Sequence, residues 1–287
     1  MKTHKKKLCA SCLKINFNKT LKSSKKHKPS WLNKKDYVEK FIKNYKNFNI
    51  NHPKNFNNKL IIFIGKQHKN KKLLYWAAKP NDNNYILINN AKTAYGSFSN
   101  SGVTIVNNNG FAFLKFFTPQ NYKTIAKNGK NNTTYFKHIH FVLSNVHGNS
   151  WNNNIYTKLV HNNFTTKHFI INLNSKCYIV LNVLPSILYA NDHIINTYNL
   201  PYNNILKMSV NELNNWFKNI IDLHYPILKK LIVKRKLDYY ELPIICYCAH
   251  NQCAASKTAA HFLMKKGFVN VNLYEDGMKG YKQHNKF

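Results

Sequence analysis

The sequence predicts a multi-domain protein: an all-β sandwich followed by an α/β domain with a central parallel sheet. Three observations carry that expectation. Seven short β-type runs, broken by Asn and Gly clusters, fill residues 55–165. From residue 166 apolar strand-like runs alternate with helical patterns, the order that feeds a parallel sheet. Hydrophobic residues make up 44% of the 287 and aromatics 14%, enough to bury cores despite a formal charge of +34. Residues 1–54 are read as a basic arm ahead of the sandwich, and residues 166–287 as the α/β domain.

The arm carries much of the charge. Residues 1–50 hold 15 Lys against Asp36 and Glu39, and the first hundred residues carry +20 of the +34. Lysine point charges at this density are expected to hold nucleic-acid phosphates or another acidic partner, through residues 1–100. Arg235 is the only arginine, so forked readout of base edges is not expected. Lys and Asn belong to A/T-rich codons, which accounts for Lys over Arg but not for only 10 acidic residues. No run approaches the ~18 apolar residues of a membrane span. The charged N-terminus has no apolar stretch behind it, so a secretory signal is not expected either. That leaves a soluble, intracellular or particle-enclosed protein. Cys9 and Cys12 form a C-x-x-C, half of a zinc site, with His27 as a lone third candidate.

In chain order, a helical stretch over 36–45 closes the arm. The β-type runs are 60–64, 73–77, 85–88, 103–106, 111–117, 135–143 and 155–160. The sixth contains His138-Ile-His140. Residues two apart in a strand share a face, so both imidazoles point the same way and can chelate a metal if other ligands converge. Further on, 177–183 reads as a strand. Ser209-Val-Asn-Glu212 makes a capping box for a helix that places Val210, Leu213, Trp216, Phe217 and Ile220 on one face. A buried strand over 242–248, a helix over 256–266 and a strand over 269–273 complete the pattern.

The strand 242–248 ends at Cys248 and a short polar loop leads to the next helix. A thiol there faces loop N–H groups and the positive end of the helix, both of which favour thiolate and lower its pKa. Such a cradle suits a persulfide or another anion. Cys246, deeper on the same face, reads as a small buried filler.

These residues resemble the rhodanese (sulfurtransferase) family over most of residues 168–287. His193-Ile-Ile-Asn-Thr-Tyr-Asn-Leu-Pro201 is similar to its H-I-x-G-A-x-N-L-P element and Tyr247-Cys248 to its catalytic Y-C. Ala254-Ala-Ser256 matches its helix start, and Gly267-Phe-Val-Asn-Val271 with Asp276-Gly277-Met278 and Tyr281 parallels its closing motifs. The resemblance implies that Cys248 carries a persulfide, with His250 in its loop and Cys253 close enough in sequence to resolve it as a disulfide. The family's Asp and Arg after the first strand are Asn182 and Leu184 here, and Cys253 stands where its loop carries an arginine.

A second resemblance covers about residues 58–165. Leu73-Leu-Tyr-Trp76-Ala-Ala, Tyr95-Gly-Ser-Phe-Ser-Asn-Ser-Gly-Val-Thr104, Asn109-Gly110-Phe, Pro119-Gln-Asn-Tyr122 and His138-Ile-His140-Phe are similar, in order, to motifs of the intradiol ring-cleavage dioxygenases. That likeness implies a non-haem Fe(III) held by Tyr85, Tyr122, His138 and His140, phenolates being hard anionic ligands that favour the ferric state. The family's arginine three residues before the first His is Tyr135 here. Together the two likenesses imply a redox protein with an iron dioxygenase-like site and a persulfide site. The competing class is a non-catalytic packaging protein that uses both folds as scaffolds and binds nucleic acid through its arm. The Lys/Asn bias with this domain pairing is similar to proteins of large A/T-rich DNA viruses, which implies a virion component.

Overall fold

The structure, a computed structural model, describes residues 7–8, 21–22, 37–80, 87–88, 90–125 and 132–284. The chain divides into two compact units, the first ending at Val160 and the second running from His161.

The first unit contains β1 (Lys7–Leu8), β2 (Leu21–Lys22), α1 (Tyr37–Asn44), β3 (Asn58–Phe63), β4 (Lys72–Ala77), α2 (Ala91–Tyr95), β5 (Ser101–Ile105), β6 (Phe111–Phe116), β7 (Tyr122–Ile125), β8 (Asn132–Tyr135), β9 (His138–Leu143) and β10 (Tyr156–Leu159). The main sheet has the order β2-β10-β9-β4-β5 and is antiparallel throughout. Its central strand β9 is buried along its whole length, as is β4 after Lys72, so neither strand turns a side to solvent there. β3 and β6 pair as a two-stranded ribbon whose inner residues Ile62, Ala112, Leu114 and Phe116 join Leu73, Tyr75, Ile139 and Phe141 in one core. A third sheet runs β1-β8-β7.

Three expectations change here. The unit is a mixture of strands and helices, so an all-β architecture is too simple. The basic arm is shorter than 54 residues: Val38 and Ile42 of α1 are buried, Phe41 stacks on Phe98 at 4.0 Å, and Asn51 bridges to Val103. The run 135–143 is not one strand, because the chain leaves β8 after Tyr135 and re-enters a different sheet at His138. Alternation cannot reveal that break, since no Gly, Pro or other turn residue marks it.

The second unit contains α3 (Thr166–Asn174), β11 (Ile179–Asn182), α4 (Ser186–Asn191), β12 (Tyr198–Asn199), α5 (Tyr202–Lys207), α6 (Val210–His224), α7 (Pro226–Val233), β13 (Ile244–Tyr247), α8 (Ala255–Lys265), β14 (Val271–Tyr274) and α9 (Gly277–His284). Its sheet, ordered β12-β11-β13-β14, is parallel throughout. β11, β13 and β14 are buried along their whole lengths, as strands covered on both faces must be. The capping box forms: the Ser209 N–H donates to Glu212 Oε2 at 2.6 Å and the Glu212 N–H to Ser209 Oγ at 3.2 Å. The helix it opens buries Leu213, Phe217 and Ile221, a stripe narrower than the predicted face. Among the described residues no helix is long and apolar enough to cross a membrane.

Candidate functional site

Cross-strand register builds a buried polar cluster in the first unit. His140 of β9 lies opposite Trp76 of β4 on one side and Thr157 of β10 on the other. Tyr122 of β7 lies opposite Tyr135 of β8, and their rings stack at 4.9 Å. Tyr95 is the last residue of α2, a short helix capped at its start by the Asn90 side chain and ended by Gly96 at φ 54°. Tyr95 Oη lies 3.0 Å from His138 Nε2 and Tyr122 Oη 3.3 Å from the same nitrogen, with the two phenol oxygens 3.5 Å apart. The His140 ring centroid is 4.7 Å from that of His138.

The far sides of the imidazoles are also fixed. His138 Nδ1 sits 2.6 Å from the Phe136 carbonyl oxygen. That oxygen only accepts, so the proton is on Nδ1 and the Nε2 lone pair faces the two phenols. His140 Nδ1 lies 2.8 Å from Thr157 Oγ1. Burial pushes His138 down to about 4, against the opposing bond to Phe136. Burial also holds His140 well below its ordinary value, with His138 adding to the fall. Both rings are therefore neutral at pH 7, the form that ligates metals.

The structure thus brings Tyr122, His138 and His140 together and adds Tyr95. Tyr85, Cys9 and Cys12 lie outside the described residues. The signal for Tyr95 was present as Asn90 and Gly96, cap residues that bracket one and a half turns of helix. Tyr135, three residues before His138, is a buried ring whose centroid lies 6.4 Å from that of His138. Among the described residues no group of three or more His, Cys, Asp or Glu is placed to hold a metal. The donors that do converge are phenols and imidazoles.

In the second unit, β13 carries Cys248 just beyond its C-terminal end, the edge at which parallel α/β sheets place ligands. Cys248 is buried. Its Sγ lies 3.4 Å from Ser256 Oγ in the first turn of α8, 3.4 Å from the Cys253 carbonyl oxygen and 3.8 Å from that of His250. His250 is exposed, and its backbone carbonyl is the group that meets the sulfur. Cys253 is a half-buried free thiol on the same loop.

The expected lowering of the Cys248 pKa is not found. Burial is the largest influence and pushes the thiol above its ordinary value. The Ser256 hydroxyl and backbone N–H pull it down, and Cys253 adds to the rise. Two acceptor carbonyls face the sulfur where an all-donor cradle was anticipated, so a neutral S–H is what this loop stabilises. Cys246 is deeper still and burial raises it further, keeping it a thiol.

Neighbouring elements lock the loop. The Met278 N–H donates to the Cys248 carbonyl at 3.0 Å and the Lys279 N–H to that of Ala249 at 2.9 Å, so the start of α9 seals the strand end. Gly277 (φ 58°) is required there, because a Cβ would run into the Cys248 carbonyl oxygen. Tyr247 Oη accepts from the Ile194 N–H at 3.2 Å and pairs with Thr197 Oγ1 at 2.9 Å, tying the 193–201 segment beneath the site. Asn182 Oδ1 accepts from the Leu184 N–H at 3.0 Å. An amide therefore closes β11 and an alkyl chain follows two residues later.

Comparison with known proteins places this half of the molecule. The family described as the rhodanese-like domain matches residues 165–284. Among solved structures, the BH2092 protein of Bacillus halodurans is 19% identical over 43% of this chain and 73% of its own, with a TM-score of 0.30. The single-domain sulfurtransferase RDL2 of Saccharomyces cerevisiae is 14% identical over 44% of this chain and 91% of its own, with a TM-score of 0.32. The human single-domain sulfurtransferase TSTD1 is 12% identical over 43% and 97%, with a TM-score of 0.31. No curated protein sequence matches the chain. The parallel sheet with Cys248 at its edge and the match over 120 residues agree: residues 165–284 form a rhodanese-like domain.

Proposed function

We propose that the protein is a sulfurtransferase-like thiol/persulfide protein working through Cys248. The observation that carries this is the position of Cys248 Sγ beyond the end of β13, 3.4 Å from Ser256 Oγ at the start of α8. The Cys248 thiolate attacks the outer sulfur of a sulfane donor such as thiosulfate. A Cys248 S–S bond forms, and the donor's sulfur–sulfur bond breaks with its electron pair leaving on sulfite. The Cys253 thiolate then attacks Cys248 Sγ, forming a disulfide and expelling hydrosulfide; an external dithiol restores both thiols. Ser256 donates to the charged sulfur at each stage, and Cys253 takes over the discharge that an arginine-lined loop leaves to external acceptors.

Mass spectrometry of donor-treated protein tests this. Wild-type should cycle through persulfide and disulfide. Cys253→Ser should accumulate a Cys248 peptide heavier by one sulfur atom, and Cys248→Ser should take up none. Undiminished sulfur uptake by Cys248→Ser would overturn the assignment.

A second reading rests on the first unit's cluster. We propose that Tyr95, Tyr122, His138 and His140 hold a ferric ion. Donors at about 2.0–2.1 Å from one metal lie roughly 3–3.5 Å from each other, and the Tyr95, Tyr122 and His138 donor atoms are 3.0–3.5 Å apart. The donor set suits the ion, and the Phe136 and Thr157 oxygens orient the imidazoles as outer-shell partners of metal ligands do. When bound, such iron supplies a Lewis acid for a catechol-type diol and its reaction with oxygen. Tyr135 offers no positive charge to a developing anion, so iron binding without ring cleavage is the expected phenotype. Protein reconstituted with Fe(III) should retain near-stoichiometric iron and show a tyrosinate-to-iron absorption band, both lost in Tyr122→Phe and Tyr95→Phe. Iron content unchanged by either substitution would rule the site out.

A further inference from the structure

The β3–β6 ribbon has an unusual outer face. Strict alternation sends Ile62, Ala112, Leu114 and Phe116 into the core and should leave polar side chains outside. Outside instead stand Ile61 at 60% exposure, Phe63 at 61%, Phe113 at 52% and Phe111 at 38%. Register sets Ile61 opposite Phe113 and Phe63 opposite Phe111, with the latter two ring centroids 5.1 Å apart. Next along the ribbon Lys59 faces Lys115, and both ammonium groups lie over the Phe56 ring, at 5.7 and 5.3 Å.

We propose that this face is a stacking platform for single-stranded nucleic acid. Exposed rings on one face of a ribbon, flanked by cations, combine base stacking with phosphate attraction, the pairing that sequence-tolerant single-strand binders use. Outward residues on one strand recur every ~7 Å, a spacing that lets consecutive unstacked bases meet consecutive side chains. Charge decides between occupants. From residue 40 to residue 191 the sequence contains a single acidic residue, Asp82. A second copy docked on this face would bring another lysine-rich surface against this one with almost no acid to offset it, whereas a polyanion is attracted by the same groups.

The test is binding of labelled oligothymidylate to the full-length protein across a salt series. Each stacked base lost is expected to cost roughly five- to 150-fold. Phe63→Ala/Phe111→Ala/Phe113→Ala should therefore weaken binding at least tenfold with an unchanged salt slope and an unchanged melting temperature, the rings being outside the core. The matching Phe→Tyr triple variant should bind as wild-type does. Lys59→Ala/Lys115→Ala should reduce the slope of log K against log salt by about 1.4, two phosphates at ~0.7 each. Any phosphate attraction by the Lys-rich N-terminal segment is left intact in the Phe variants, so they separate its contribution from that of the platform. Four results would overturn the proposal: alanine variants that bind as wild-type, equal affinity for a duplex of the same length, a shift from dimer to monomer as the sole effect of the substitutions, or Phe-dependent binding to anionic vesicles without binding to the oligonucleotide.

Discussion

Cys248 stands between opposing influences, and their order sets its chemistry. Removal from water raises its pKa most, the Ser256 hydroxyl and N–H lower it, and Cys253 raises it again. Below its pKa a thiol is mostly S–H, so the nucleophilic fraction at pH 7 should be smaller than for a free cysteine, whose ordinary value is about 8.5. Alkylation of Cys248 by iodoacetamide, followed peptide by peptide, should be slow at neutral pH. Its rate should still climb tenfold per pH unit where free cysteine has levelled off. Ser256→Ala removes a donor to the thiolate and should move the rise to higher pH. A neutral-pH rate above that of free cysteine would show that the loop favours thiolate after all. The sequence displayed the strand end, the loop and the helix start. It could not display that the His250 and Cys253 carbonyls turn inward, because backbone orientation in a loop of this length is set by what packs over it, here the first turn of α9.

At the scale of elements, legibility followed the strength of local signals. β11, β13 and β14 were readable as short, mostly apolar runs rich in β-branched and aromatic residues, and α6 because Ser209 and Glu212 cap it reciprocally. β7 was not, because its start lies among turn residues and it is held by a bridge from Ile88 to Tyr122 and by pairing to β8, both long-range. The same cause hid the sheet switch between β8 and β9. Neither Phe136 nor Lys137 is a turn residue and both are buried, so no local signal marks the change of partner. The buried cluster was legible in part: His138, His140 and Tyr122 sit in recognisable motifs, whereas Tyr95 reaches them through a five-residue helix that hydrophobic periodicity cannot detect. Some of the Asn excess also has structural work. Asn100, buried, donates to the Ala78 and Phe117 carbonyls and accepts from the Phe117 N–H, replacing a missing strand partner.

For the whole molecule the dominant quantity is a charge of +34 on 287 residues. Ion pairs offset little of it. The described pairs, Lys218 and Lys229 with Asp222, Lys257 with Glu275 and Lys282 with Asp192, are solvent-exposed contacts in the second unit, a type worth about 0–1 kcal/mol each. The first unit has almost no acids to pair with its lysines, so its compact state is opposed by self-repulsion that the unfolded chain relieves by expanding. Salt should therefore stabilise this protein, the reverse of the effect expected where surface ion pairs dominate. Between about 0.01 and 0.15 M the screening length falls from ~30 to ~8 Å, so repulsion between lysines on different elements fades while the buried cores are untouched. Each kcal/mol of repulsion relieved raises the melting temperature of a domain of this size by roughly 2–4 °C or more. Calorimetry in sodium chloride, chosen because sulfate also strengthens apolar burial, should show a melting temperature that rises over that range and levels off once screening is complete. A melting temperature that falls with chloride would mean that attractive pairs outweigh the excess of lysine.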